Sequence, residues 1–225
     1  MNRSLKFKNS FFLTAFVFAQ STAVWWIISG LPFSWETIKN SGAAEWLKTG
    51  GVLVILALLI VRFLNRLGSS HFKAILIFWH WKDPLPGSRA FSQLIHRDPR
   101  IDVTKLRRHM GGVFPTIPAQ ENSAWYGFYR NHAEIPSVQD GHSDYLLFRD
   151  MVWLTILVAP MGAILFFSIL RDPKTVLYYM IAEVILYLAI RFVGVQAGER
   201  FVMTVLACEG AKSTSKPTII TGVTT

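Results

Sequence analysis

The stretch from Asp150 to Arg191 limits what the rest of this chain can become. Met151 to Leu170 carries no charged side chain and consists chiefly of Val, Leu, Ile, Phe and Met. A helix needs about 20 such residues to cross the hydrocarbon of a bilayer. Arg171-Asp172-Pro173-Lys174 interrupts the run, and a second apolar stretch follows from Thr175 to Ile190. Proline lacks a backbone N–H and fits the first turn of a helix, so Pro173 suits the start of the returning one. Two spans joined by so short a loop are antiparallel neighbours, and the spacing predicts a transmembrane helical hairpin.

Composition points the same way. Only 16% of the 225 residues are charged and 52% are hydrophobic, against about 25% charged in ordinary soluble domains. The formal net charge of +9 is read as basic cytoplasmic loops facing an anionic leaflet, which makes nucleic acid an unlikely partner. A single cysteine, Cys208, excludes an intramolecular disulfide framework and a cysteine-built zinc site.

Two further spans precede the hairpin. Residues Met1 to Asn9 hold Arg3, Lys6 and Lys8 and no acid, and Phe11 to Leu31 is uncharged. A secretory signal peptide also begins this way, but its apolar region is shorter and ends in small residues. Here the run ends on Trp25-Trp26-Ile27-Ile28, which fits a retained helix with tryptophans at the interface. Pro32 to Thr49 reads as a loop or short amphipathic helix on the membrane surface. Gly50 to Val61 reads as a second span, with Arg62 snorkelling to a headgroup.

Between Leu67 and Arg149 lies a soluble part that lacks β-branched alternation and reads as helical. His71 to Trp81 reads as helical and is broken at Asp83-Pro84-Leu85-Pro86-Gly87. Ala90 to Ile95 reads as a short helix. Asp102 or Thr104 caps a helix through Met110 that ends at Gly111-Gly112. In Ala119 to His132, Gln120, Ala124, Trp125, Phe128 and Tyr129 are expected to share a face. Pro136 or Ser137 starts a helix running through Tyr145 and Leu147 into the third span. Beyond Ile190, apolar residues recur at helical spacing to about Ala207, so the fourth helix is expected to leave the bilayer and continue. The tail from Lys212 to Thr225 reads as flexible.

The expected fold is therefore all-α: a polytopic membrane protein of four transmembrane helices with a helical cytoplasmic insertion between the second and third. The divisions fall at 1–67, 68–149, 150–210 and 211–225. The long loop has ten basic residues against seven acids, and the two other loops have two basic residues each. The positive-inside rule then puts both termini and the long loop in the cytoplasm of a bacterial inner membrane.

Few residues suggest chemistry. Glu183 is the one acid deep within a span. An ionisable group there is expensive and functional by default. It is read either as an ion or proton site, or as a protonated acid hydrogen-bonded to Tyr187, Thr155 or Ser168. Arg191 lies two turns further along the same face, where the helix emerges. Gly194 and Gly198 form a small-xxx-small face that permits close helix approach. Arg97, Arg100, Lys105, Arg107 and Arg108 are the densest basic cluster, suited to lipid headgroups, a phosphate-bearing ligand or a solvated face. All six histidines fall in the long loop, with neither i, i+4 pairing nor an HExxH motif. No GxSxG, P-loop or GxGxxG occurs, so no catalytic residue, metal or cofactor is assigned.

This layout, four passes with a basic soluble domain and no enzyme motif, resembles small membrane components of bacterial anti-phage defence systems. The resemblance implies an oligomer that works with a cytosolic partner, sensing envelope perturbation or permeabilising the membrane. Three functions compete: a membrane effector, sensor or scaffold; a small ion channel or transport subunit using Glu183; and a membrane-embedded enzyme.

Overall fold

A computed structural model describes residues 3–29 and 59–211. The surface segment at Pro32–Thr49, most of the expected second span at Gly50–Val61, and the tail from Lys212 lie outside the described residues. Every regular element described is a helix. Helix α1 spans Arg3–Ser29, and a helical segment over 59–67 leads into α2, Ser70–Phe78. Two 3-10 turns follow at Pro86–Arg89 and Leu94–His96, then α3, Val103–His109, and α4, Pro118–His132. The two longest helices close the chain: α5, Pro136–Leu170, and α6, Pro173–Ala211.

Local chemistry sets the boundaries. The Ser69 hydroxyl accepts from the Phe72 N–H at the start of α2, and Asp102 accepts from the Lys105 N–H at the start of α3. These bonds satisfy amides that a helix start leaves without partners. Proline opens α4, α5 and α6, where its missing donor costs nothing. At the tip of the hairpin, Arg171 turns left-handed at φ 52°, and Asp172 takes the N–H of Lys174 and of Thr175 together with the Thr175 hydroxyl. Gly111 and Gly112, at φ 76° and 98°, follow α3 in a conformation that side chains resist.

The expected helix at Ala90–Ile95 is replaced by a turn that runs from the first 3-10 turn into the second, which begins at Leu94. The buried Glu121 carboxylate accepts from the Phe91 and Ser92 N–H groups at 2.8 and 3.0 Å, anchoring this loop to α4. On α4 the inward positions are Glu121, Trp125 and His132, while Gln120 faces outward.

Among the described residues, three helices are long and apolar enough to cross a membrane: α1 over Asn9–Ser29, α5 and α6. Their surfaces change character along their length. On α6, Leu177, Tyr178, Ile181, Val184, Ile185, Leu188, Phe192 and Val193 are exposed. From Gly194 onward the exposed apolar side chains stop, and Ala197, Phe201, Val202, Val205 and Leu206 are buried. The exposed stretch rises about 25 Å, close to the hydrocarbon thickness. Water would not tolerate such a belt, so it is suited to lipid.

Three apolar clusters lie along α5. Near the hairpin tip, Val24 of α1 packs on Phe166 and Tyr179. Further back, Leu13 and Val61 close on Leu154. The largest cluster surrounds the second half of α6, where Phe201, Val202, Val205 and Leu206 meet Ile77, Leu94, Ile95, Leu106, Trp125, Val138 and Tyr145. Each such side chain contributes about 1.5–3 kcal/mol by leaving water. This core crosses the division expected at Arg149: the compact helical part is built on the ends of the two long helices, not hung between them.

Candidate functional site

Glu183 is turned inward and only 7% exposed. It lies roughly midway along the exposed apolar stretch of α6. Gln20, at a matching depth on α1 and equally buried, donates its Nε2 to Glu183 Oε2 at 3.0 Å. Neither hydrocarbon nor water competes for this bond, so it fixes the register of α1 against α6. The partners expected from sequence are engaged elsewhere. Thr155 and Ser168 return their hydroxyls to Met151 O and Ile164 O, one turn back, the ordinary way a hydroxyl is satisfied within a helix. Gln20 Oε1 is buried without a hydrogen bond among the described residues, and the Tyr179 hydroxyl, one turn before Glu183, is directed at the Glu183 carboxylate. Tyr179 lies over Gly162, where even a methyl group would overlap its hydroxyl.

Tyr187 and Arg191 form a second, separate group. Tyr187 donates to Leu76 O at 2.8 Å and accepts from Trp79 Nε1 at 2.9 Å. The Arg191 guanidinium sits 3.6 Å from the centre of the Trp79 ring. Trp79 itself is left-handed, φ 55°, at the end of α2, a strained choice for a bulky residue. The two contacts hold it there. Arg191 thus serves α2 and does not pair with Glu183.

A third polar group lies where the 59–67 segment meets α5. Lys73, 3% exposed, donates to Asp150 Oδ1 at 3.1 Å and to Asn65 O at 2.6 Å. Asn65 donates to Asp150 Oδ2 at 2.7 Å, and Arg149 reaches Oδ1 through Nε and Nη2. Burial pulls the Lys73 ammonium below its ordinary range, against the attraction of Asp150. Trp153 Nε1 completes the junction on Leu64 O. No signal in the sequence marks this cluster, because its members are far apart in the chain.

Gly194 and Gly198 make room within the chain itself. A methyl group on Gly194 would touch Ile77 and Phe148, and one on Gly198 would come within 2.8 Å of Phe78. They seat α2 and α5 against α6.

The basic cluster runs from Glu199, in the middle of α6's second half, to the far end of the compact part. Arg97 pairs with Glu199 at 2.7 Å, Arg100 grips Asp98 with two nitrogens, and Lys105 lies 3.4 Å from Asp102. Arg107 covers the Phe114 ring at 5.3 Å, and Arg108 is exposed. The start of α3 abuts Gly210, 19 residues past Arg191 and so about 28 Å along the axis. That exceeds two Debye lengths at physiological salt. Near it, Glu209 binds His132 Nε2 at 2.6 Å and lies 3.5 Å from His109, clipping α3 and α4 to the end of α6. Among the described residues no cluster of His, Cys, Asp and Glu has the arrangement of a metal site.

These features define an all-helical chain whose longest helices carry lipid-suited surfaces, with a buried polar contact at mid-depth and a compact part at one end. Compared with protein-family models, curated proteins and solved structures, the chain matches none.

Proposed function

We propose that this chain is a four-pass bacterial inner-membrane protein, an effector, sensor or scaffold subunit that oligomerises and works with a cytosolic partner, in the setting of anti-phage defence. One observation carries the reading: α5 and α6 run without a break from the lipid-suited surface into the core of the compact part. A displacement at the compact end is then transmitted to the spans through rigid helix, not across a linker.

The four-pass count is supported by the levels at which the chain enters and leaves the bundle. Ser29 ends α1 on the hairpin-tip side, beyond Val24, whereas Val61 packs beside Leu13 and Leu154. The described chain thus resumes at the opposite level of the bundle from the one where α1 ends. The basic bias then places both termini and the compact part in the cytoplasm. The distance of Lys105, Arg107 and Arg108 from the membrane favours an acidic protein surface over lipid headgroups as their partner.

Native mass measurement of the detergent-solubilised chain, purified from its host, tests this. Multiples of 25.5 kDa with a stoichiometric soluble subunit, lost on Arg107→Glu with Arg108→Glu, are expected. A monomer that carries no subunit contradicts it. Phage plating on cells with and without the chain tests the defence setting, and equal plating removes it.

A second reading, a small ion channel or transport subunit, has the buried Glu183 in its favour. Assembled subunits would then present this carboxylate to an ion path, and Glu183→Gln would abolish conductance in planar bilayers while preserving assembly. Unchanged conductance, or none in the parent protein, removes that reading.

A further inference from the structure

Apart from the polar groups above, a cleft opens between α4 and α5, roofed by Leu85 and Pro86 and floored by Phe201 of α6. Its volume is about 180 Å³. Sites for drug-sized ligands are about 300–1,000 Å³, so this one admits a single ring system with the remainder outside. Its walls are aromatic. Trp125 and Tyr129 are stacked at 14°, and Phe201 meets both edge-on at 88° and 80°. Tyr126, 51% exposed, lines the cleft beside Tyr129, the two rings 5.7 Å apart and tilted by 42°.

Asn122 and His142 also line the cleft, and His142 Nδ1 is paired with the Tyr129 hydroxyl at 3.0 Å. Tyr145 lines it and is 5% exposed, and its hydroxyl has no hydrogen-bond partner among the described residues. Arg149 lines the end nearest the spans and approaches the Tyr145 ring at 6.0 Å. It shares the single Asp150 carboxylate with Lys73. Two cations on one acid leave a net positive charge at that wall. Arg89 lies nearby over Phe78, whose ring is 6.2 Å from that of Tyr145, but its charge is balanced by Glu199 and Glu121. An aromatic cage for an organic cation would need the opposite sign.

We propose that this cleft binds a small aromatic anion, its ring among Trp125, Tyr126 and Tyr129 and its carboxylate or phosphate toward Arg149. An aromatic carboxylate and a nucleoside monophosphate share that chemistry. The site lies where α5 passes from the compact part to the lipid-suited stretch, and it is independent of which function the spans perform.

The full chain in lipid nanodiscs, titrated calorimetrically against an empty-disc blank, tests the proposal. The probes are indole-3-acetate and 4-hydroxybenzoate for the carboxylates, AMP and UMP for the phosphates. Controls are adenosine and indole, which lack the anion, and ribose 5-phosphate and acetate, which lack the ring. At least one aromatic anion binds saturably, and loss of ring or anion weakens it at least tenfold. Which pair binds identifies the source. Tyr126→Ala, at an exposed position that leaves the thermal midpoint unchanged, weakens binding about 5- to 150-fold, the range of one aromatic stacking contact. No saturable binding of any of the four probes at millimolar concentration overturns the proposal. So does affinity that survives removal of the anion or is indifferent to Tyr126→Ala.

Discussion

Glu183 and Gln20 show how a single polar pair in hydrocarbon is to be valued. Measured coupling energies for such hydrogen bonds in membranes average about 0.6 kcal/mol and reach about 1.7. The pair therefore specifies which faces of α1 and α6 meet more than it supplies stability. A double-mutant cycle with Gln20→Leu and Glu183→Leu, read by denaturation in micelles, should give a coupling energy within that range. Additive single effects would show that the hydrogen bond contributes nothing. The Lys73–Asp150–Arg149 group is different, because removing its one acid leaves the buried Lys73 and the half-buried Arg149 without a counter-charge. Asp150→Ala should destabilise the protein by about 3–5 kcal/mol, seen as a lowered thermal midpoint. A midpoint within a degree of the parent would mean that water enters the junction and screens the charges.

At the scale of elements, most of the helices are legible in the amino-acid sequence alone. The periodicity past Ile190 marks the continuation of α6, and Pro136, Asp102 and the Gly111-Gly112 pair mark boundaries where they fall. What stays hidden depends on contacts distant in sequence. The loop at Ala90–Ile95 reads as helix locally, yet Glu121, some thirty residues on, takes the amides of Phe91 and Ser92 and holds them in a turn between two 3-10 turns. Gln20 reads as an incidental polar residue in α1, and only the antiparallel bundle brings it to Glu183. The polar junction at Asp150 and the clip at Glu209 are invisible for the same reason. Packing between elements also gives a test of its own. Gly162 is pressed by Tyr179, so Gly162→Ala should cost about 1–3 kcal/mol through overpacking. Shortening the opposing side chain with Tyr179→Leu should return part of that loss, and a double variant no better than Gly162→Ala alone would show that the contact does not constrain the helices.

At the scale of the whole molecule, one division of the surface carries the functional reading. In the proposed arrangement the exposed side chains of α6 up to about Val193 meet lipid, and the residues beyond surround a compact core on one side of the membrane. A membrane-impermeant maleimide applied to intact host cells tests this most directly, with Cys208→Ser as the background. Lys174→Cys, at the hairpin tip, should label from outside. Val113→Cys, exposed at the far end of the compact part, should label only after the membrane is opened. Labelling of Val113→Cys from outside in intact cells, or of both positions alike, would contradict the proposed arrangement of the chain across the membrane.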